Sequence, residues 1–261
     1  MRKALLNTAQ RAVDLWFAAK PEQKPTVEKA RQAKVVAHRG NCGLHSIENT
    51  LAAFHDCDSR GVWGIELDIQ WTRDGMPVVS HDVDCERVFG IKQLSIAENN
   101  FEFLQKSVPL MPAFEEVLNN FGSSRHLMIE LKRETLQPQH FQHLRRLLSN
   151  LSPGEDYHLL ALEFDLVDQI PVDLVPALMM VAETNYRDVL KGIYQRNWPA
   201  CSGHYLLFNK KIRYQLEQAN KNYGVGFIKS KNALYREIRL GSHWIFTNHA
   251  GSLQSWLDEL L

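Results

Sequence analysis

The stretch that decides the fold, residues 35–82, reads VVAHRGNCGLHSIENTLAAFHDCDSRGVWGIELDIQWTRDGMPVVSHD. It opens with an apolar run that ends at His38, and a second apolar run, GIELDI, is interrupted by Glu66 and Asp68. Ionisable side chains at the ends of buried strands are costly unless they bind a ligand or take part in chemistry. We therefore expect a functional site where these two strands end.

The two carboxylates of GIELDI indicate what that site binds. Glu66 and Asp68 are two residues apart, and side chains at positions i and i+2 of a strand point to the same face. Two like charges at one place repel each other unless a cation lies between them. Oxygen ligands suit a hard cation, so the pattern predicts a Mg²⁺ or Ca²⁺ site. The alternative is a strand end with two solvated acids.

Two further segments of the stretch bring other polar groups to the same place. Asp74-Gly75 is a hairpin signal, and a hairpin there makes VVSHD an extra antiparallel strand and returns His81 roughly opposite Asp68. His38-Arg39-Gly40 follows the first strand; the arginine fork suits a phosphate, and glycine lets the backbone approach a ligand closely. By itself this tripeptide is weak evidence for a phosphate site, and a surface turn is the better interpretation.

The motifs HRG, ENT, ELD, TRDG and HD, in this order and spacing, resemble those of the glycerophosphodiester phosphodiesterase family, which belongs to the phospholipase C-like TIM-barrel phosphodiesterases. The segment LMIELKRE, residues 127–134, resembles the family's E-x-K strand. The resemblance is dense at residues 34–84 and 127–133 and weaker but collinear elsewhere. It implies the following roles: a divalent metal ion bound by Glu66, Asp68 and Glu130; general acid and base His38 and His81; phosphate contacts Arg39 and Lys132; and a supporting Glu48.

The resemblance also implies an activity, the metal-dependent hydrolysis of small-molecule glycerophosphodiesters to glycerol 3-phosphate and an alcohol. It leaves open a lysophospholipase D-like activity on lysophospholipids, transfer to a cyclic phosphate, and a catalytically silent barrel that acts as a binding module. The late strands depart from the family pattern at Phe227 and Lys229 and at the segment Thr247-Asn248-His249-Ala250, so the substrate is not fixed by the motifs. Lys229 either recognises an anionic substituent or is a solvated lysine.

The rest of the chain predicts the fold class. A chain of 261 residues with 44% hydrophobic residues is long enough for one α/β barrel. Eight short apolar runs alternate with amphipathic segments, as in a (β/α)₈ TIM barrel; the runs are VVAH, GIELDI, LMIEL, LLALE, ALMMVA, YLLFN, VGFI and WIFTN. We expect a small hairpin excursion after the second strand and an active site at the carboxyl ends of the strands. Residues 1–33 are expected to form an N-terminal helical extension, and residues 34–261 the barrel domain.

The N-terminal extension and the composition limit the kinds of partner that we expect. The extension is either a helix packed on the barrel or a membrane-surface or partner helix that uses Leu5, Leu6, Val13, Trp16 and Phe17. The 30 basic and 30 acidic residues give formal neutrality, so no nucleic-acid partner is expected. No stretch approaches the roughly 18 apolar residues of a transmembrane segment. The four cysteines show no C-x-x-C pair or disulfide framework, so we expect reduced cysteines and a cytoplasmic location. The oligomeric state is left open.

Overall fold

The computed structural model describes the backbone of residues 2–10 and all atoms of residues 11–43 and 46–261. The strands in this part of the chain are β1 (Lys34–Ala37), β2 (Gly64–Trp71), β3 (Pro77–Val79), β4 (His126–Leu131), β5 (Tyr157–Ala161), β6 (Leu178–Ala182), β7 (Ala200–His204), β8 (Asn222–Gly226) and β9 (Trp244–Thr247).

These strands form one closed barrel. The hydrogen-bonded order is β1-β9-β8-β7-β6-β5-β4-β2-β3, and a further parallel pairing of β1 with β2 closes the ring. β3 is the exception, since it runs antiparallel to β2 as the return strand of the Asp74-Gly75 hairpin. The remaining strands are all parallel, as the alternation of apolar runs and amphipathic segments predicted, so the expected (β/α)₈ TIM barrel is confirmed.

Helices follow most of the strands and cover the outside of the barrel, and two short helices lie in the excursion after the hairpin. The helices are α1 (Arg2–Ala19), α2 (Val27–Gln32), α3 (Leu51–Ser59), α4 (Glu86–Phe89), α5 (Phe101–Ser107), α6 (Phe114–Phe121), α7 (His140–Leu147), α8 (Phe164–Val167), α9 (Tyr186–Gln195), α10 (Lys210–Gln218), α11 (Lys231–Arg239) and α12 (Ala250–Asp258). Side-chain caps fix where several begin: the side chains of Thr50, Asn209 and Ser230 accept hydrogen bonds from the first turns of α3, α10 and α11. All three caps follow the loop after a barrel strand, so they also fix the path of the chain at the barrel mouth.

The alternation of side chains along the strands separates the core from the site. On β2, Ile65, Leu67 and Ile69 join the large apolar cluster between barrel and helices, whereas Glu66 and Asp68 point the other way. Inside the barrel, a smaller apolar cluster includes Met128 of β4 and Phe246 of β9. The interior is therefore packed, and Glu66 and Asp68 lie beyond this cluster at the carboxyl-terminal mouth of the barrel.

One strand prediction is wrong. The sixth barrel run was expected at YLLFN, residues 205–209, but the strand is β7, with the sequence ACSGH. The apolar run follows the strand as a loop, in which Leu206 and Leu207 line the large cavity described below. The sequence of β7 is not an apolar run, because it consists of small and polar residues. Its Gly203 lies close to β6: an added Cβ would stand 2.6 Å from the carbonyl oxygen of Ala182.

The second half of α1 packs on the barrel. The ring of Phe17 is buried against Tyr205, with 5.4 Å between ring centroids, and Asp14 forms a 2.9 Å ion pair with Lys229. Lys229 is therefore engaged by the extension. Trp16 is 58% exposed, while the side chains of Leu5 and Leu6 lie outside the described atoms. No helix in the described residues has the length and apolar character needed to cross a membrane.

The expectation of four reduced cysteines is wrong for two of them. Cys42, in the loop after β1, forms a disulfide with Cys57 of α3, with 5.4 Å between their Cα atoms. Cys85 and Cys201 are free thiols and are buried. The disulfide joins two cysteines only 15 residues apart, and the other two cysteines are unpaired. A single local cross-link does not produce the cysteine pattern of a disulfide framework. It fastens the loop that follows the HRG motif to the helix beneath it.

Candidate functional site

Three carboxylates from two adjacent strands meet at the barrel mouth. Glu66 and Asp68 of β2 share a face, and the parallel register pairs Asp68 with Glu130 of β4. Ligand oxygens from all three residues lie within 4.8 Å of one another. Asp68 and Glu66 are almost fully buried. The i, i+2 spacing on one strand and the register with the next are sufficient to produce this cluster.

The cluster is electrostatically crowded. Burial, with Asp68 and Glu130 close by, raises the pKa of Glu66 well above its usual range. Burial and Asp68 raise the pKa of Glu130 to about 7. Burial also opposes ionisation of Asp68, but Lys132 and Arg39 outweigh it, and its pKa is lowered. Ionisation of Glu66 and Glu130 is therefore disfavoured unless additional positive charge lies nearby.

Lys132 supplies part of this charge. Its Nζ lies 2.7 Å from Oδ1 of Asp68 and also contacts Glu130. Oε1 of Glu66, in contrast, is buried and has no hydrogen-bond partner among the described residues. A buried carboxylate oxygen without a partner is costly, and an all-oxygen set suits a hard divalent cation. The three carboxylates fit such an ion.

The HRG motif forms a tight turn at the end of β1 that places Arg39 over the carboxylates. Arg39 has a left-handed backbone conformation, with φ of 54°, and its N–H donates to Oε2 of Glu66 at 2.8 Å. Its guanidinium donates from Nη1 to Oε1 of Glu48 at 2.9 Å, and its Nε lies 3.4 Å from Oδ2 of Asp68. Gly40 follows with φ of 71°, and a Cβ there would come within 2.5 Å of the Phe54 ring. Only glycine fits this position.

Both candidate histidines face the same cavity. His38 directly follows β1, and its Nε2 lies 4.0 Å from Oε2 of Glu66. Burial together with Arg39 lowers the pKa of His38 to about 4. The hairpin register pairs Ile69 with Val79, so the position opposite Asp68 is Ser80, and His81 lies one residue further on. The Nδ1 atom of His81 is 2.7 Å from Oδ1 of Asp82. The predicted return of His81 to the carboxylates holds to within one residue.

Sequence reasoning missed three side chains that support this site. Asn49 of the ENT motif donates from Nδ2 to Oδ2 of Asp68 at 2.8 Å. Asn248, after β9, contacts Nδ1 of His38 through Oδ1 at 2.6 Å. Arg87 of α4 contacts Glu48 and Asp82. The ENT motif is a signal for Asn49, and the departure from the family pattern after β9 is a signal for Asn248.

A cavity of about 790 Å³ opens above the carboxylates. Its lining includes the candidate residues His38, Arg39, Glu66, His81, Glu130 and Lys132. Apolar side chains and further polar groups complete the lining; among them are Leu160, Leu162, Val181, Leu206, Phe227 and Phe246, with Glu163, Glu183 and His204. Residues 84–111, which follow the hairpin, are not among the residues that line this cavity. They contribute Arg87 to a neighbouring depression beside His81 instead.

Fold and site together define a (β/α)₈ barrel with a carboxylate, histidine and arginine site at the carboxyl ends of its strands. The model of the glycerophosphoryl diester phosphodiesterase family matches residues 38–153. That range contains every candidate residue from His38 to Lys132. The comparisons confirm the resemblance to the glycerophosphodiester phosphodiesterase family that the motifs indicated.

Curated relatives match parts of the chain. Glycerophosphodiester phosphodiesterase 1 of Homo sapiens is 39% identical over 102 residues, which are 33% of this chain and 30% of that protein. Glycerophosphodiester phosphodiesterase of Bacillus altitudinis is 33% identical over 110 residues, 38% of this chain and 44% of that protein. Lysophospholipase D GDPD3 of Mus musculus is 29% identical over 152 residues, 58% of this chain and 35% of that protein. The chain thus spans less than half the length of each of these relatives.

Solved structures match over most of the barrel. A glycerophosphodiester phosphodiesterase from Thermotoga maritima superposes with a TM-score of 0.74 at 18% identity, covering 90% of this chain and 99% of that chain. A phosphodiesterase from Oleispira antarctica, solved with the product sn-glycerol 3-phosphate, superposes with a TM-score of 0.63 at 20% identity, covering 86% of this chain and 96% of that chain. At these identities the likeness establishes the fold.

Proposed function

We propose that this protein is a phosphoric diester hydrolase that cleaves glycerophosphodiesters to glycerol 3-phosphate and an alcohol with the help of a divalent metal ion. The observation that carries the proposal is the cluster of the Glu66, Asp68 and Glu130 carboxylates at a single cavity that two histidines also line. The relatives named glycerophosphodiester phosphodiesterase support the same reaction.

The charged groups suit a phosphodiester. Glu66, Asp68 and Glu130 would hold Mg²⁺ or Ca²⁺, which as a Lewis acid neutralises charge on the phosphoryl oxygens. Arg39 is anchored by Glu48 through one nitrogen, and its guanidinium lines the cavity, where it binds a phosphate oxygen. Lys132 lines the same cavity and adds a second positive charge. Together they hold the anionic diester in place and stabilise the charge that develops during its cleavage.

The two histidines perform the proton transfers. One accepts the proton of the attacking nucleophile and the other donates a proton to the leaving alcohol oxygen, each contributing about 10²–10⁴-fold to the rate. Both side chains line the cavity, and each has its Nδ1 engaged by a neighbouring oxygen, of Asn248 for His38 and of Asp82 for His81. That leaves Nε2 of both rings available to the substrate.

The test is a panel of glycerophosphodiesters assayed for release of glycerol 3-phosphate after EDTA treatment, with Mg²⁺ or Ca²⁺ added back. We expect activity only with added metal, and a loss of at least about 10²-fold in His38→Ala and in His81→Ala. His55→Gln, at an exposed position of α3, is the matched control and keeps full activity. Unchanged turnover in both alanine variants would contradict the mechanism. An inactive, correctly folded wild type would favour a catalytically silent barrel.

A lysophospholipase D-like activity is the second candidate, and the apolar side chains in the lining of the cavity favour it. Phe227, Phe246 and Leu206 provide a surface on which an acyl chain buries apolar area, which a glycerophosphodiester does not need. Lysophospholipase D GDPD3 of Mus musculus is among the relatives. Release of free head-group alcohol from a lysophospholipid, with none from the deacylated diester, selects this candidate.

We also propose that residues 1–33 are an extension separate from the domain at residues 34–261. Support comes from β1, which begins the barrel at Lys34, and from the contacts of the extension with the outer surface of α11, such as the 2.8 Å ion pair between Glu22 and Arg239. A chain that begins at residue 34 should therefore keep the barrel fold, as circular dichroism can measure. The cytoplasmic location stays a prediction of the sequence, to be tested by cell fractionation.

A further inference from the structure

A chain of polar contacts joins the candidate phosphate ligand to one candidate acid–base group. Oε1 of Glu48 accepts from Nη1 of Arg39 at 2.9 Å and from Nη2 of Arg87 at 2.6 Å. Nε of Arg87 donates to Oδ2 of Asp82 at 2.5 Å, and Oδ1 of Asp82 is 2.7 Å from Nδ1 of His81. Arg87 stands in the middle of this chain and touches neither the cavity nor the carboxylate cluster.

From this geometry we propose that Arg87 is a positioning residue that fixes the side chains of Arg39 and His81 relative to each other. The proposal rests on the proposed function, since it assigns Arg87 a part in the same reaction. Arg87 acts through Glu48 on one side and through Asp82 on the other.

The contacts explain why the site needs this residue. Glu48 belongs to the loop after β1 and Asp82 to the segment after β3, so each carboxylate moves with a different part of the chain. A guanidinium is a planar fork that donates in two directions at once, and it fixes the distance between two carboxylates better than a lysine ammonium. Hydrogen bonds from Arg87 help to lower the pKa of both Glu48 and Asp82 against the opposing effect of burial. Both acids are thereby kept as anions that can orient their partners.

The segment at residues 84–111 delivers Arg87 to this place. Arg87 lies on α4, whose first turn is held by a 2.9 Å hydrogen bond from the N–H of Glu86 to Oδ1 of Asp84. Next to α4, Cys85 is buried in a small apolar cluster with Leu94 and Ile96. The excursion after the hairpin thus has its own core, which makes α4 a fixed support. This gives the segment a role that its sequence, without any metal or nucleotide motif, did not suggest.

The experiment compares Arg87→Ala and Arg87→Lys with a matched control, Arg73→Ala. Arg73 ties the hairpin to the same excursion through a 3.0 Å hydrogen bond to Asn100, away from the site. We expect Arg87→Ala to lower kcat by about 10- to 100-fold, because displacing a reacting group by about 1 Å costs up to about 10²-fold. KM and the melting temperature should change little, Arg87→Lys should recover only part of the loss, and millimolar guanidinium should restore activity to Arg87→Ala. Arg73→Ala should keep the wild-type kcat.

A second measurement tests the proposal without an activity assay. In spectra of ¹⁵N-histidine-labelled protein, the ring nitrogens of His81 should shift in Arg87→Ala and stay unchanged in Arg73→Ala. The proposal is overturned if His81 and kcat are unaffected by Arg87→Ala, or if Arg73→Ala produces the same loss. If the wild type hydrolyses no glycerophosphodiester, the proposed function fails, and the histidine spectra alone then support or overturn the positioning role.

Discussion

Nδ1 of His38 lies 2.6 Å from Oδ1 of Asn248, so the first and last strands of the barrel meet at the candidate site. The amide oxygen accepts the Nδ1 proton, and this fixes the tautomer whose Nε2 faces the cavity. Asn248 therefore orients the ring in the way that a neighbouring carboxylate does for His81. The rest of the barrel has to close before this contact exists.

Removing the Asn248 amide should impair His38 without unfolding the barrel. Asn248→Leu has a similar volume but no acceptor, so the imidazole loses its fixed tautomer. We expect kcat on a glycerophosphodiester to fall by about 10²-fold, the lower end of what a positioned acid–base group contributes. His249→Gln, at the neighbouring exposed position, is the control. Equal activity of both variants in a steady-state assay would show that the contact does not orient His38.

Replacing one carboxylate should separate metal binding from folding. Glu66→Gln removes a charge that burial makes costly, so the metal-free variant should be at least as stable as the wild type in thermal unfolding. The wild type should gain about 2.7 kcal/mol when the divalent ion is present at 100 times its Kd, and the variant should gain much less. Differential scanning calorimetry with EDTA, Mg²⁺ and Ca²⁺ measures both effects. A metal-induced shift of the same size in both proteins would exclude Glu66 as a ligand.

Two buried histidines near the start of β4 and β5, His126 and His158, should make the stability of the fold sensitive to mild acid. Nε2 of His126 is 2.7 Å from Nδ1 of His158; burial lowers the pKa of His126 to about 4, and burial with His126 beside it lowers that of His158 to about 3. Between these values and the usual value near 6.5, the unfolded chain binds more protons than the folded one. The free energy of unfolding should therefore fall as the pH drops from about 6.5 to about 3, and above pH 6.5 these two histidines should leave it unchanged.

Chemical denaturation across this pH range tests the effect on the variant His158→Leu. The variant is expected to be less stable at pH 7, because His126 loses a hydrogen-bond partner, but its stability should depend less steeply on pH below 6.5. His55→Gln serves as a control at an exposed site and should keep the wild-type slope. Identical slopes in wild type and His158→Leu would assign the acid sensitivity to other groups.

The disulfide between Cys42 and Cys57 should make a measurable contribution to the free energy of unfolding. It closes a loop with a sequence separation of 15, and a cross-link of about that size contributes roughly 3 kcal/mol to the free energy of unfolding. Dithiothreitol should lower the stability of the wild type by about this amount in urea unfolding. The double variant Cys42→Ser, Cys57→Ser should resemble the reduced wild type and show no response to dithiothreitol. A wild type that ignores the reductant would mean that these thiols are not cross-linked in solution.

The parts of the site that were predictable from sequence depend on local rules. The spacing of Glu66 and Asp68 fixes a shared face, and the hairpin dipeptide fixes where His81 returns, so neither depends on the rest of the fold. Glu130 and Lys132 follow the same rule on the neighbouring strand, with the family resemblance identifying which strand that is. The apolar runs likewise located most barrel strands.

The parts that were not predictable depend on how distant segments meet. Asn248 reaches His38 only because β9 pairs with β1, and Arg87 reaches Glu48 only because the excursion after the hairpin folds back over the loop after β1. β7 was missed because close packing of Gly203 against β6, rather than an apolar sequence, defines that strand. Whether Cys42 faces Cys57 depends on the turn between β1 and α3, which cysteine spacing does not encode.

The pairing of β9 between β1 and β8 has a consequence for how the protein is made. A nascent chain emerges from the ribosome with the carboxylates, both histidines and Arg39 long before residue 248, and until then β1 has a free edge. The ring around the site closes only after the last strand has been synthesised and inserted. Truncated translation products that end before β9 should therefore lack activity even when they contain all the motifs in residues 38–132.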